Sequence, residues 1–319
     1  MSNILLTGAT GFVGNRLLSM LKEHGHQCRA AIRRPSSSVD VQTDSVVVGE
    51  IDANTGWHKA VQDIDVIVHL AARVHVMNEQ SDNPLVEFRK VNLDGTRSLA
   101  QAAVKAGVKR FVYISTIKVN GEATQGKAFT SQDIASPSDP YAIAKWEAEK
   151  ALQEISQESG LEVVVIRPPL VYGPGVKANF LNLIKLVQKR IPLPLAGIKN
   201  KRTLVALDNL ADLIMTCCEH PAAAGQVFLA ADDESVSTAE LISKIALSFN
   251  QWSPVFYFPP ALMAWASALL GKQAVWHRLS GSLQVDNSAA KKLLGWQPVT
   301  SMDEELKRIA DSMTGNIDK

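Results

Sequence analysis

The chain has 319 residues, 46% of them apolar and 20% charged, with a formal net charge of +1. That length suits one large α/β unit or two interlocked domains, and the near-neutral balance excludes a general pull toward nucleic acid or anionic membrane, so an anion site has to be local. The three cysteines, Cys28, Cys217 and Cys218, form no metal spacing and no disulfide framework, and are expected as small buried apolar side chains in a reducing cytoplasm.

The opening MSNILLTGATG has no basic segment and meets glycine at once, so it does not read as a signal peptide. NILLTGA (3–9) is predicted as a buried strand and FVGNRLLSMLKEHG (12–25) as a helix ended by Gly25. Further strands are predicted at QCRAAI (27–32), SVVVGEI (45–51), DVIVHLAA (65–72), RFVYIS (110–115) and LEVVVIRP (161–168). Helical patterns lie between them at 54–62, 84–106 and 141–159. Strands apolar on both faces and separated by helices predict an α/β fold with a doubly wound parallel (Rossmann) sheet. This dinucleotide-binding domain is expected over 1–168.

Beyond it, RPPLVYGPGVKANF is loop-like, followed by a helix at 180–190, a strand TLVALDN (203–209) and a helix at 209–219. TAELISKIALSF and DEELKRIADSM are later helices. The expectation is a smaller C-terminal α+β substrate domain over 169–319, with parts of 203–230 returning to the first domain. FPPALMAWASALLG (258–271) is too short to span a bilayer, which argues against membrane insertion. Its Leu262, Trp265, Ala266 and Leu269 recur at helical spacing and predict a core-facing or dimer-facing helix.

Between the first strand and first helix, TGATGFVG supplies Gly8, Gly11 and Gly14, with Phe12 and Val13 at the helix start. Glycine is needed where a backbone turns tightly against a pyrophosphate seated on a helix N-terminus, so a dinucleotide site is expected here. At the end of the third strand, Glu50 beside Ile51, or nearby Asp52, could accept from an adenine amino group, or be a solvated acid. HLAA ends the fourth strand with Leu70, Ala71 and Ala72, small enough for close backbone approach to a ribose.

The second strand runs into CRAAIRRPSSS (28–38), with Arg33 and Arg34 where a carboxylate would bond the ribose hydroxyls of NAD. Arginine provides charge-assisted bonds to a 2′-phosphate, each about 1.5–3 kcal/mol. This puts NADP(H) ahead of NAD(H), although an arginine stacked on adenine or facing solvent would leave NAD usable.

YAIAK sets Tyr141 and Lys145 one helical turn apart. A phenol of pKa near 10 is a poor base, but an ammonium about 4 Å away in a dielectric of about 20 contributes on the order of 4 kcal/mol, or roughly three pKa units. That would bring Tyr141 into range for general acid–base work. In ISTIKVNG, Ser115 and Thr116 put hydroxyls at the carboxyl end of the sheet, where open α/β folds bind ligands. GEATQGKA (121–128) nearly fits a phosphate loop, but Ala128 replaces the magnesium-binding hydroxyl, and a flexible loop over the site is expected instead. His24, His26 and His75 show no zinc spacing, and no metal site is expected.

TGATGFVG, HLAA, VNLDGTRSL, YISTIKVNG, YAIAK and RPPLVYGPG occur in the order seen in extended short-chain dehydrogenase/reductases. Over nearly its whole length the chain resembles the nucleotide-sugar epimerase/dehydratase family. The resemblance implies Thr116, Tyr141 and Lys145 as the catalytic set and Asn92 and Pro168 on the cofactor side. It also implies Asn179, Arg202 and Arg278 at the diphosphate and nucleotide of a UDP-linked sugar, and a homodimer through helices 84–106 and 141–159.

Within that family, dehydratases carry an Asp-Glu pair where this chain has Ile117 and Lys118, which sets dehydration aside. UDP-glucose 4-epimerases carry Asn where this chain has Leu170. An epimerase recycles its cofactor, whereas a 4-keto reductase consumes NADPH. The arginine pair therefore puts reduction of a UDP-4-keto-hexose, hydroxylated or deoxy at C6, slightly ahead of 4-epimerisation of UDP-glucose or UDP-N-acetylglucosamine. A non-catalytic NADP(H) sensor is a third reading, weakened by the intact Tyr/Lys pair.

Overall fold

The computed structural model describes residues 2–35, 43–74 and 83–315. Ser36, Ser37 and Ser38 of the arginine segment, and His75, lie outside the described residues.

In chain order the first half contains β1 (Asn3–Thr7), α1 (Phe12–Glu23), β2 (Gln27–Ile32), β3 (Asp44–Val47), α2 (His58–Val61) and β4 (Val66–His69). Next come α3 (Pro84–Arg89), a π-helical turn Lys90–Gly95, α4 (Thr96–Ala106), β5 (Arg110–Ile114), a 3₁₀ turn Ile117–Val119, α5 (Pro140–Ser159) and β6 (Glu162–Arg167). The second half has β7 (Val171–Tyr172), α6 (Ala178–Gln188), β8 (Arg202–Thr203), β9 (Val205–Ala206), α7 (Leu207–Glu219), β10 (Val227–Leu229) and β11 (Ser235–Val236). It ends with α8 (Thr238–Ser248), α9 (Pro260–Leu269), α10 (Gln273–Ser280), α11 (Ser288–Leu294) and α12 (Met302–Thr314).

Seven strands form one sheet in the order β10-β6-β5-β4-β1-β2-β3, and every neighbouring pair is parallel. The side-chain period of two sorts each strand's residues onto opposite faces. Ile4, Leu6, Val66, Val68, Val112 and Ile114 pack with Leu17 and Leu21 of α1, Leu210 and Ile214 of α7 and Leu294 of α11. Leu5, Ile67, Phe111 and Tyr113 pack on the other face with Leu99 and Ala103 of α4 and Leu152 of α5. The chain is thus a doubly wound α/β protein. Its order reverses beside β1, and a ligand crevice is expected outside the carboxyl ends at such a switch.

The expected 84–106 helix is interrupted by the wide turn at Lys90–Gly95. A side chain at Gly95 would meet Ile51 Cγ2 at 2.4 Å, so glycine allows the helix to approach the β3 loop there. The expected 54–62 helix shrinks to α2, because Thr55 Oγ1 and Asp52 fold the preceding residues into a turn. The expected strand 203–209 divides: β8 pairs antiparallel with β11, β9 pairs parallel with β7, and α7 starts at Leu207. β10 joins the main sheet beside β6. Outside that sheet, Phe180, Ile184, Leu241, Ile245, Leu306 and Ile309 bring α6, α8 and α12 into a separate core.

The 258–271 segment is expected to form a helix that faces the core or a dimer partner. α9 forms, but none of its residues is buried, and Leu262, Trp265 and Leu269 are 52%, 65% and 67% exposed. Met263 packs against the outer-lobe core, and the Leu262, Trp265 and Leu269 stripe is left exposed. The 121–128 segment, expected to be a loop over the site, has no regular secondary structure; Thr124 N donates to Ser282 O, and just beyond it Phe129 N donates to Gln284 O, both at 2.8 Å. All three cysteines are free and buried, as expected. Among the described residues no helix is long and apolar enough to cross a membrane, and no group of acidic, His or Cys side chains could hold a metal.

Candidate active site

The glycine loop is packed so that larger residues do not fit. A Cβ at Gly14 would stand 2.1 Å from Gly8 O, and one at Gly8, where φ is +74°, would stand 2.9 Å from Ala71 N. The loop therefore rests directly on the Leu70–Ala72 backbone beyond β4. Gly11 begins α1 with no side-chain cap, leaving the first-turn N–H groups of Phe12 and Val13 for a ligand. Beneath the loop Thr7 Oγ1 is 2.7 Å from His69 Nδ1 and accepts from Ala71 N, while His69 Nε2 meets Thr96 Oγ1 at 3.0 Å. Burial, and secondarily the Lys145 charge, bring His69 down to about 3, so it is a neutral strut.

Asn92, buried in the π turn, accepts from Arg73 N and donates to Arg73 O at 2.8 and 3.0 Å. It clamps the backbone just past HLAA, a positioning role on the cofactor side. Arg33 and Arg34 are largely exposed at the end of β2, and Glu50 faces them at 3.5 and 3.9 Å. Glu50, itself largely exposed, lies beside the arginine pair at this end of the sheet. Asp52 Oδ1 accepts from Asn54 N, and Ile51 is buried against Gly95. The Pro168 carbonyl accepts from Ile117 N at 2.9 Å, tying the loop after β6 to the loop after β5.

α5 starts on Asp139, whose Oδ1 accepts from Ala142 N at 2.7 Å, and Pro140 suits its first position. This cap fixes the turn bearing Tyr141, which packs edge-on to Phe88 with centroids 6.0 Å apart. Lys145, one turn on, is buried. Its Nζ donates to Ile114 O at 2.5 Å and lies 4.0 Å above the Tyr113 ring. The expectation that Lys145 lowers the Tyr141 pKa is corrected here. Burial, and then the Asp139 charge, push the phenol up to about 12, while burial brings Lys145 down to about 7 against the opposing pull of Glu149. Desolvation disfavours both charged forms and outweighs pairing in this arrangement.

Thr116 caps the 3₁₀ turn, its Oγ1 accepting from Lys118 N. Ser115 is buried and donates a short hydrogen bond to Glu149, so its hydroxyl faces inward rather than toward a substrate. Glu149 is also held by Arg167 Nε and Nη2 at 3.0 and 2.5 Å, and Arg167 Nη1 reaches Asn120 Oδ1 at 2.9 Å. The motifs did not reveal this buried ion pair. Its signal was Glu149 four residues after Lys145, on the same helical face.

The dehydratase-like position also has a structural occupant. Lys118 Nζ bonds Asp139 Oδ2 at 2.5 Å and lies 3.5 Å from Glu122. On the other side of the crevice, Arg202 Nη1 donates to Arg278 O and Gly281 O at 2.8 and 3.3 Å, so two of the expected diphosphate residues are brought together. Asn179 is exposed on the first turn of α6, a different element. Leu170 is 41% exposed.

Residues 4–231 match the family described as the NAD dependent epimerase/dehydratase family. A UDP-glucose 4-epimerase of Vibrio cholerae is 44% identical over 315 residues, covering 97% of this chain and 95% of the relative. Among solved structures, UDP-glucose 4-epimerase of Thermotoga maritima, with UDP-glucose, superposes with TM-score 0.79 at 22% identity, covering 99% of this chain and 100% of the other. UDP-glucuronic acid 4-epimerase of Bacillus cereus, in complex with NAD, gives 0.78 at 22%, covering 99% of each chain.

Proposed function

The chain belongs to the NAD dependent epimerase/dehydratase family, and we propose that it interconverts a UDP-linked hexose with its C4 epimer, using Tyr141 as the proton-exchanging group. The supporting observation is the capped start of α5, which sets Tyr141 and Lys145 at the carboxyl edge of β5, in a chain 44% identical to a 4-epimerase from end to end. This reverses the order expected from the sequence, in which reduction stood ahead.

The residues present fit a nicotinamide dinucleotide. The cradle at Gly8 and Gly14 excludes any side chain, and the uncapped start of α1 faces the same space. Gly8, Gly11, Phe12, Val13 and Gly14 would hold the diphosphate, Leu70–Ala72 would line the ribose, and Arg33, Arg34 and Glu50 would meet the adenosine end. When bound, the dinucleotide supplies hydride acceptance and return at C4.

Tyr141 exchanges the O4 proton. With its phenol protonated at neutral pH, it is set to donate; the deprotonating direction requires a positive charge close to it. Lys145, brought down to about 7 by burial, holds its Nζ on Ile114 O one helical turn from Tyr141. Thr116 orients the sugar oxygen, and Arg202 and Arg278 take the UDP diphosphate through fork-shaped, permanently charged donors. Asn179 would close this end from α6. We further propose a homodimer through α3–α4 and α5.

Incubating the purified protein with UDP-glucose or UDP-N-acetylglucosamine, with no added cofactor, tests this reading. NMR should show both C4 epimers at equilibrium. A second reading, NADPH-dependent reduction of a UDP-4-keto-hexose, is favoured by Arg33 and Arg34. It predicts no interconversion, and NADPH oxidation only when a 4-keto sugar is present.

A further inference from the structure

We propose that the face built by α9, α10 and the segment before them docks on the surface of an anionic phospholipid bilayer. The proposal does not depend on which C4 reaction the crevice carries out. α9 reads PALMAWASAL, with Ser267 its only polar side chain, and that hydroxyl is satisfied by Ala264 O at 2.7 Å. A helix apolar all round is ordinarily buried, yet no residue of α9 is. Leu262, Trp265 and Leu269, at spacings of three and four, form an outer stripe. On its other side Met263, Ala266 and Leu270 line a groove of about 480 Å³ shared with Phe256, Phe258 and Trp276.

Exposed apolar surface of this extent marks an interaction site, and its charge identifies the occupant. From Leu241 to Val285 the sequence contains no Asp or Glu; Lys244 in that stretch is held by Glu234 and Asp303 at 3.2 and 2.9 Å, which leaves Lys272 and Arg278 as its other permanent cations. Lys272 lines the groove itself. An apolar face with exposed aromatic rings, whose groove lining holds Lys272 and no carboxylate, suits the headgroup region of an anionic bilayer: rings and Leu side chains enter the acyl boundary, and the lysine keeps its ammonium among phosphates. α9 is ten residues long, so it would lie in the interface and not cross it. A docked molecule would present its Arg202–Arg278 end close to the lipid surface, since Arg202 grips the last turn of α10.

The test is flotation of the full chain with vesicles of phosphatidylglycerol and phosphatidylethanolamine, against vesicles of phosphatidylcholine alone. Binding is expected on the anionic vesicles, at least tenfold weaker on the neutral ones, and weakened by 0.5 M salt, on the order of a fully screened surface charge. The double variant Trp265→Glu, Leu269→Glu should lose at least ten-fold in vesicle binding. Lys272→Glu should lose several-fold, and both should keep the wild-type melting temperature and turnover of soluble substrate. Absence of binding to anionic vesicles would overturn the proposal, and so would equal binding by the double variant. A self-association of the wild type that the double variant abolishes in sedimentation velocity would also overturn it, making a second copy of the chain the occupant.

Discussion

α7 and α9 are both apolar helices, yet they end in opposite environments. α7 lies on the main sheet and hides Leu210, Ala211, Leu213, Ile214, Cys217 and Cys218, whereas α9 touches its lobe's core through Met263 and has no fully buried residue. The difference lies in what each helix has to cover. A parallel sheet has two apolar faces and its crossover helices close them, so the sheet half completes its core within one chain. The outer lobe builds its core from α6, α8 and α12, with only Met263 of α9 and Trp276 of α10 packed against it, which leaves most of the apolar surface of α9 exposed. Chemistry is thus expected to fail when the sheet half is altered, and docking when the outer helices are.

The sharpest way to separate the two halves is Tyr141→Phe. Loss of a general acid–base group costs roughly 10²–10⁴-fold, and here turnover should fall by about 10³-fold or more with dinucleotide affinity unchanged in a fluorescence titration. Vesicle binding by the same variant should stay at the wild-type level. Near-normal turnover would remove Tyr141 from the reaction.

Next in size is the buried pair under the site. Removing one partner leaves an uncompensated charge at a cost of about 3–5 kcal/mol. Arg167→Leu is therefore expected to lower the urea midpoint by that equivalent, since Arg167 and Glu149 side chains are only 4% and 5% exposed. Trp265→Ala, at 65% exposure, should change stability by within about 0.5 kcal/mol. Equal losses from the two changes would break the contrast between a closed sheet half and an open outer lobe.

The sheet half was also the half legible in sequence. Its strands are short Val/Ile runs whose burial is uniform, and its helix–strand alternation admits one layered arrangement. The glycine loop and the Tyr141/Lys145 spacing were legible because local backbone geometry determines them. The Lys145 environment was not, since its depth depends on Tyr113 and Ile114 from another strand. The Glu149–Arg167 pair joins residues from two elements for the same reason. For α9, helical spacing of apolar residues reports amphipathicity, not whether the core or another molecule covers the face. The net charge of +1 concealed a 45-residue stretch, 241–285, without a carboxylate, because composition averages over the chain.

A smaller effect concerns the cofactor end. Arg33→Asp with Arg34→Ser should shift the ratio of NADP to NAD affinity toward NAD by about 10- to 100-fold if the guanidinium groups hold a 2′-phosphate, measured by titration with both dinucleotides. An unchanged ratio would leave the pair as partners of Glu50 alone, and the NADPH-dependent reading would lose its support.

The smallest expected effect tests how the sheet half tunes Tyr141. Asp139 is the second cause, after burial, of the raised phenol pKa, and Lys118 holds that carboxylate at 2.5 Å. Replacing Lys118 by Met removes a cation that offsets the Asp139 charge near the phenol. A negative neighbour disfavours the phenolate, so the Tyr141 pKa rises further. Below that pKa the ionised fraction falls as the pKa rises, so kcat/KM at neutral pH should drop by about ten-fold or less, given the half-exposed lysine. Lys118→Arg keeps the cation and should restore the wild-type value. A loss that Lys118→Arg fails to restore, or a rise in kcat/KM for Lys118→Met, would sink the coupling.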